Sequence, residues 1–212
     1  MTARRVTEAL AEDPYSTFLA SFYSEGMSRY GERWGYADIS TTLVAASALA
    51  KPASYLEIGV RRGRSMAMVS SQSPSCELVG FDMWISGYGG NENPGAGFVE
   101  DELRRLGHLG PVNMIDGDSH ETVPAFFAAN ADAYFDLITV DGDHSRRGAI
   151  ADLECVIPRL KVGGILVFDD ICHPAHPELA GVWTEVTGRH PELTEWAYSD
   201  VGFGVAVAIR TY

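Results

Sequence analysis

The 212-residue chain is short of several features that would assign it to a class quickly. It has only three cysteines, Cys76, Cys155 and Cys172, widely spaced and odd in number. They form no CxxC pair and no even disulfide framework, so reduced thiols in a cytoplasmic protein are expected. No apolar run reaches the roughly 18 residues that span a bilayer. The segment STTLVAASALA (40–50) is too short for that and reads as a packed helix. No apolar stretch follows Arg4 and Arg5, so a secretory signal is not expected. Cations are scarce: 16 Lys and Arg face 29 Asp and Glu, for a net charge of -13. Such a surface repels a phosphate backbone. The densest basic cluster, Arg61, Arg62 and Arg64, falls in a tight turn rather than on an open face. Neither a nucleic acid nor a membrane is expected as partner. Repeats and low-complexity tracts are absent from the sequence.

What is present fits one α/β domain. The length supports a single sizeable core. Residues 1–50 read as a helical cap belonging to the same domain as 51–212, and carry many aromatics: Tyr15, Phe18, Phe22, Tyr23, Tyr30, Trp34 and Tyr36. These pack on the sheet, close over a site, or serve a homo-oligomer interface. From residue 51 onward, short β runs alternate with helical patterns. The runs are SYLEIGV (54–60), ELVGFDM (77–83), VNMID (112–116), FDLITVD (135–141) and GILVFDD (164–170). Most are continuously apolar and end in an acid, which predicts parallel strands buried on both faces. Helical patterns at 63–71, 97–107, 119–129 and 145–160 complete right-handed βαβ units. Near the end, LTEWAYS (193–199) and FGVAVAIR (203–210) are separated by the short Asp200-Val201-Gly202 link. A link that short permits a hairpin and forbids a parallel crossover. The prediction is a Rossmann-like, seven-stranded, mostly parallel sheet with an antiparallel last strand and helices on both faces.

Four constellations carry candidate chemistry. Glu57-Ile-Gly59-Val-Arg-Arg-Gly63-Arg-Ser65 leaves a strand and opens a helix. Gly59 allows a sharp turn and Gly63 the close approach of a ligand or a helix, while free N–H groups at the helix start favour polar ligand groups. With two glycines and Arg61 between them, it is not a full dinucleotide fingerprint. Asp82, at the end of the second strand, can accept both hydroxyls of a cofactor ribose or cap the strand. Asp118-Ser119 can grip an adenine amino group, cap the next helix, or do both. The sharpest signal is Asp141-Gly142-Asp143-His144 after the fourth strand with Asp169-Asp170 after the fifth. Neighbouring parallel strands place such ends about 5 Å apart. Unpaired, those carboxylates repel one another, and a hard cation such as Mg²⁺ with oxygen ligands resolves the conflict. His144 is a candidate general base, with His173 and His176 as rivals.

These residues resemble class I S-adenosylmethionine-dependent methyltransferases. Within that class the chain is similar to the branch of metal-dependent O-methyltransferases of antibiotic and macrolide-sugar tailoring, together with cephalosporin hydroxylase-like proteins. The likeness runs from Tyr55 to Ile209 and is most specific over FDLITVDGDHSRRGAIADLECVIPRLKVGGILVFDD (135–170). It implies a cofactor turn at Glu57, Gly59, Gly63 and Ser65, a ribose acid at Asp82, and an adenine grip at Asp118 and Ser119. It implies metal ligands at Asp141, Asp169 and Asp170, with Asp141 also near the cofactor, and a base at His144 or the acidic alternative Asp143. The expected activity is Mg²⁺-assisted methylation of a small-molecule hydroxyl, such as a sugar or natural-product intermediate. Two other readings compete: a fold of this kind that binds the cofactor without methylating, and an NAD-dependent oxidoreductase. The glycine-rich segment from Trp84 to Gly97 is expected to wall or cover the site.

Overall fold

The computed structural model describes residues 2–87, 92–200 and 202–212, and the side chain of Glu32 is not among the described groups. Part of the expected wall, residues 88–91, and Val201 of the expected hairpin link lie outside the described residues.

Seven strands form one sheet in the order β3-β2-β1-β4-β5-β7-β6. They are β1 (Ser54–Ile58), β2 (Glu77–Asp82), β3 (Val112–Asp116), β4 (Phe135–Val140), β5 (Leu160–Asp169), β6 (Leu193–Tyr198) and β7 (Val205–Arg210). The first five are mutually parallel, and β7 runs antiparallel to both β5 and β6. The reversed strand is therefore last in sequence but lies inside the sheet, with β6 at the edge. Strand order reverses between β1 and β4, which opens a crevice beyond their C-terminal ends.

Eight α-helices cover the described sheet: α1 (Thr2–Ala9), α2 (Pro14–Tyr30), α3 (Ile39–Ala50), α4 (Arg64–Gln72), α5 (Ala96–Arg105), α6 (Ser119–Ala129), α7 (Arg146–Val156) and α8 (Leu179–Thr187). Local chemistry sets their starts. Asp13 and Ser16 form a reciprocal capping box with Pro14 in the first turn of α2, and Asp38 with Thr41 does the same for α3. Ser145 caps α7 by accepting from the Gly148 N–H at 3.1 Å.

Two apolar cores lie on opposite faces, and the period of two along each strand divides residues between them. Leu56 and Ile58 of β1, Leu166 and Phe168 of β5, and Leu153, Val182 and Trp183 of α7 and α8 build one. Tyr55 of β1, Ile165 and Val167 of β5, and Leu19, Leu43, Met66 and Leu103 of α2 to α5 build the other. Each fully buried Leu, Ile or Val contributes about 1.5–3 kcal/mol. The same alternation sends Asp169 toward the N-terminal helices.

The aromatic cap packs on one face of the sheet, with Tyr23 inside that core and Phe22, Trp34 and Tyr36 against it. Phe22, Trp34 and Tyr36 meet with ring centroids 4.9–5.5 Å apart. Tyr23 is fully buried and its hydroxyl donates to Asp38 at 2.5 Å. Phe18 and Tyr30 remain exposed. No described helix is long and apolar enough to cross a membrane.

Candidate active site

A cavity of about 550 Å³ opens at the C-terminal ends of β1, β2, β3 and β4. Its walls include Gly59, Asp82, Asp118, Ser119, Asp141, Asp143 and His144. The sequence motifs after four separate strands thus converge on one space.

The β1–α4 turn is fixed by backbone geometry. Gly59 has φ +90°, and its N–H donates to the Phe81 carbonyl at 2.9 Å. A Cβ at Gly59 would collide with the backbone carbonyl of Asp141, so glycine joins the two halves of the rim. Gly63 permits the close approach expected of it, and what approaches is a helix. It has φ +72° and a Cβ there would meet Val99 Cγ1 at 2.6 Å. Its small size admits α5, and it does not line the cavity.

Glu57 and Ser65 do not line the cavity either. Glu57 is completely buried and accepts from the Ser65 hydroxyl and from the Tyr55 hydroxyl, the latter at 3.0 Å. Burial pushes its carboxyl up to about 8, against the pull of the Ser65 and Tyr55 hydrogen bonds. The pair ties the start of α4 to β1 beneath the turn, a supporting position one layer behind the cavity wall. Burial suppresses the charge at Glu57.

Asp82 is engaged by its own loop. One carboxylate oxygen accepts from the Arg61 N–H at 2.6 Å and the other from the Trp84 N–H at 2.5 Å. Trp84 returns a bond from its indole N–H to the Arg61 carbonyl at 3.2 Å. Ionised carboxylates accept such bonds strongly, so Asp82 orders both the glycine turn and the chain that follows β2. Asp82 is also one of the cavity's wall residues.

At the β3 end, Asp118 caps α6 by accepting from the His120 N–H at 2.9 Å. His120 lines the cavity, with Nδ1 3.4 Å from Asp118, and Nε2 3.7 Å from Asp152 and 4.0 Å from Asp143. Asp152 is buried on α7, and its Oδ2 has no hydrogen-bond partner. Burial pushes its carboxyl up to about 6, opposed by a bond from Ser119. The sequence reading missed His120 and Asp152. A buried acid on an otherwise apolar helix stripe was the available signal for Asp152, whereas nothing in the spacing marked His120.

The β4–β5 end is chemically different. His144 Nε2 lies 3.4 Å from Asp141 Oδ1 and 3.6 Å from Asp170 Oδ2. One donor atom from each of Asp141, His144 and Asp170 falls within 4.8 Å of the others. Asp170 adopts φ +61°, a left-handed conformation unusual for a residue with a Cβ. Burial, then the Asp141 charge, pushes its carboxyl up to about 6. The Asp141 contact raises the His144 imidazole above its ordinary value, against burial. Asp169 does not join this group. As the last residue of β5 it faces the cap, and the charges it feels include Asp38. In turn, Tyr15 and Tyr36 feel Asp169. Burial drives the Asp169 carboxyl well upward, with Asp141 and Asp170 adding to the shift.

Asp143 spends its carboxylate on Ser145, accepting from its N–H at 2.7 Å and its hydroxyl at 3.0 Å. His173 and His176 gather beside His144, with centroids 6.4 and 5.0 Å from its ring, but of the two only His176 lines the cavity. Tyr30, Trp34 and Tyr36 are not among the wall residues.

The donor types fit the groups expected there. An acid able to accept ribose hydroxyls, Asp82, and the Gly59 turn stand on one wall of the cavity. At the β4–β5 end, two carboxylates and an imidazole face a common point, which suits a divalent ion.

No curated protein matches the sequence. An O-methyltransferase from Bacillus cereus, solved with S-adenosylhomocysteine, has a TM-score of 0.66 at 15% identity, over 99% of this chain and 97% of that one. The O-methyltransferase of tomaymycin synthesis from Streptomyces achromogenes, solved with S-adenosylmethionine, gives 0.65 at 18% identity, over 96% and 92%. The TDP-rhamnose 3'-O-methyltransferase of calicheamicin biosynthesis gives 0.61 at 22% identity, over 96% and 97%. These likenesses establish the shared fold. A family profile described as a methyltransferase domain matches residues 56–171, which include the glycine turn, Asp82 and the acidic ends of β4 and β5. The chain belongs to that methyltransferase family and is a class I, S-adenosylmethionine-dependent methyltransferase.

Proposed function

We propose that the chain methylates a hydroxyl of a small molecule, such as a sugar or natural-product intermediate, with a divalent ion holding the acceptor. The observation that carries this reading is the convergence of Asp141, His144 and Asp170 at one end of a cavity whose other wall is the glycine turn and Asp82. Two solved relatives support the acceptor class by their names, one for TDP-rhamnose and one for tomaymycin synthesis.

When bound, S-adenosylmethionine supplies a methyl group already activated by its sulfonium charge. The protein's task is then position, with the acceptor oxygen in line and close. Asp82 and the Arg61–Trp84 loop hold the ribose end, and Asp118 with Ser119 bounds the adenine end. Asp141 and Asp170 would hold the ion, which supplies Lewis acidity toward adjacent hydroxyls. The hydroxyl proton leaves to a base on the same wall: His144, His176 or Asp143. A surface with net charge -13 suits a small acceptor better than a polyanionic polymer.

The test is methyl transfer from labelled cofactor to a panel of catechols and vicinal diols, with and without EDTA. Transfer should collapse in chelator and return with a divalent ion. Undiminished transfer in chelator contradicts the metal-assisted reading.

A further inference from the structure

The geometry points to His144 as a protein ligand of the ion rather than a bystander base, giving a nitrogen-containing site that favours borderline first-row transition ions over Mg²⁺. This inference rests on the metal-assisted reading above and refines its donor set.

Three observations support it. First, the donor atoms that converge are Asp141 Oδ1, His144 Nε2 and Asp170 Oδ2, and Asp169 is not among them. The acids alone therefore supply two ligands here, and the imidazole completes a triad. Second, the spacing suits an ion. An N–H···O bond prefers about 2.9–3.0 Å. His144 Nε2 sits at 3.4 and 3.6 Å from the two carboxylates, the long limit of a hydrogen bond and beyond it. An ion about 2.1 Å from two donors, at angles of roughly 90–120°, separates them by about 3.0–3.6 Å. Third, the ring is held in place. His144 opens toward α7 directly after β4, is mostly buried, and packs against the His176 ring at 5.0 Å. A pre-placed imidazole loses little freedom on coordination.

Donor chemistry then sets the preference. Mg²⁺ prefers oxygen ligands and retains water, whereas imidazole raises affinity for Mn²⁺, Co²⁺ and their neighbours. With His144 bound through Nε2, His176 and Asp143 are left as wall residues able to take the acceptor proton.

The experiment is calorimetric titration of the chelator-treated, full-length protein with MgCl₂ and with CoCl₂, alongside the visible absorption spectrum of the Co²⁺ form. The wild type should bind Co²⁺ at least 10-fold more tightly than Mg²⁺. His144→Asn should reduce that ratio about 10-fold or more and change the Co²⁺ spectrum. His176→Asn should leave both unchanged, and Asp170→Asn should weaken both ions. Circular dichroism confirms that each variant is folded. If His144→Asn preserves the Co²⁺ spectrum and the ratio while Asp170→Asn weakens binding, the ligand assignment is overturned and the metal-assisted reading stands. If neither ion binds the wild type, both fall together.

Discussion

The two ends of the cavity use carboxylates in opposite ways. Asp82, at the β2 end, already accepts from two backbone N–H groups at 2.6 and 2.5 Å. Asp141 and Asp170, at the β4–β5 end, face each other and an imidazole at 3.4 and 3.6 Å, with the Asp170 carboxyl pushed up to about 6 by burial. One end is organised by the chain itself. The other concentrates like charge, which the proposed cation would relieve. Gly59 is the seam, since its bare Cα lets the β1 turn touch the Asp141 backbone.

The largest effect should come from breaking the second end alone. Asp141→Asn with Asp170→Asn should lower turnover by roughly 10³-fold or more, as loss of Lewis-acid assistance worth several kcal/mol implies. Affinity for S-adenosylhomocysteine, read by calorimetry, should stay within about 5-fold. A comparable loss of cofactor affinity would show that the two ends are not separable.

Gly59→Ala attacks the seam. A Cβ at φ +90° against the Asp141 carbonyl should destabilise the fold by about 2–4 kcal/mol, measured by urea unfolding. It should also weaken both cofactor and ion binding. Asp82→Asn should act on one end only. It removes the charge that accepts from Arg61 and Trp84, and should raise the cofactor dissociation constant about 10- to 100-fold while leaving divalent-ion affinity intact.

The architecture was largely readable from the sequence, because continuous apolar runs ending in acids have few other solutions. The interior position of the reversed strand was not, since a short link establishes a hairpin but not which of its strands joins β5. Site residues were legible where they follow strand ends: Asp82, Asp118, Asp141 and His144 line the cavity, and Asp170 stands beside the last two. Asp169 falls outside the group formed by Asp141, His144 and Asp170, since adjacent residues at a strand end point to opposite faces and a sequence does not state which face holds the site. Glu57 and Gly63 sit in the turn motif yet serve packing behind it. His120 came into view only through the fold, which brings α6 and α7 together around Asp152.

The smallest effect concerns that hidden layer. The folded-state carboxyl of Glu57 is raised to about 8 from an ordinary 4.5, so the folded protein holds this proton more tightly than the unfolded chain. Its contribution to stability is fully present below about 4.5 and is lost as pH rises through 8. Glu57→Gln imitates the protonated form and should flatten the decline in urea midpoint across that interval. An unchanged slope would show that Glu57 titrates normally.

In the proposed arrangement the cofactor and a divalent ion occupy opposite ends of one cavity. Anomalous diffraction from crystals grown with S-adenosylhomocysteine and MnCl₂ tests it most directly. An anomalous peak about 2.0–2.3 Å from Asp141, His144 and Asp170 is expected, with the ribose at Asp82. Cofactor density at Asp82 with no manganese peak at the β4–β5 rim would contradict it.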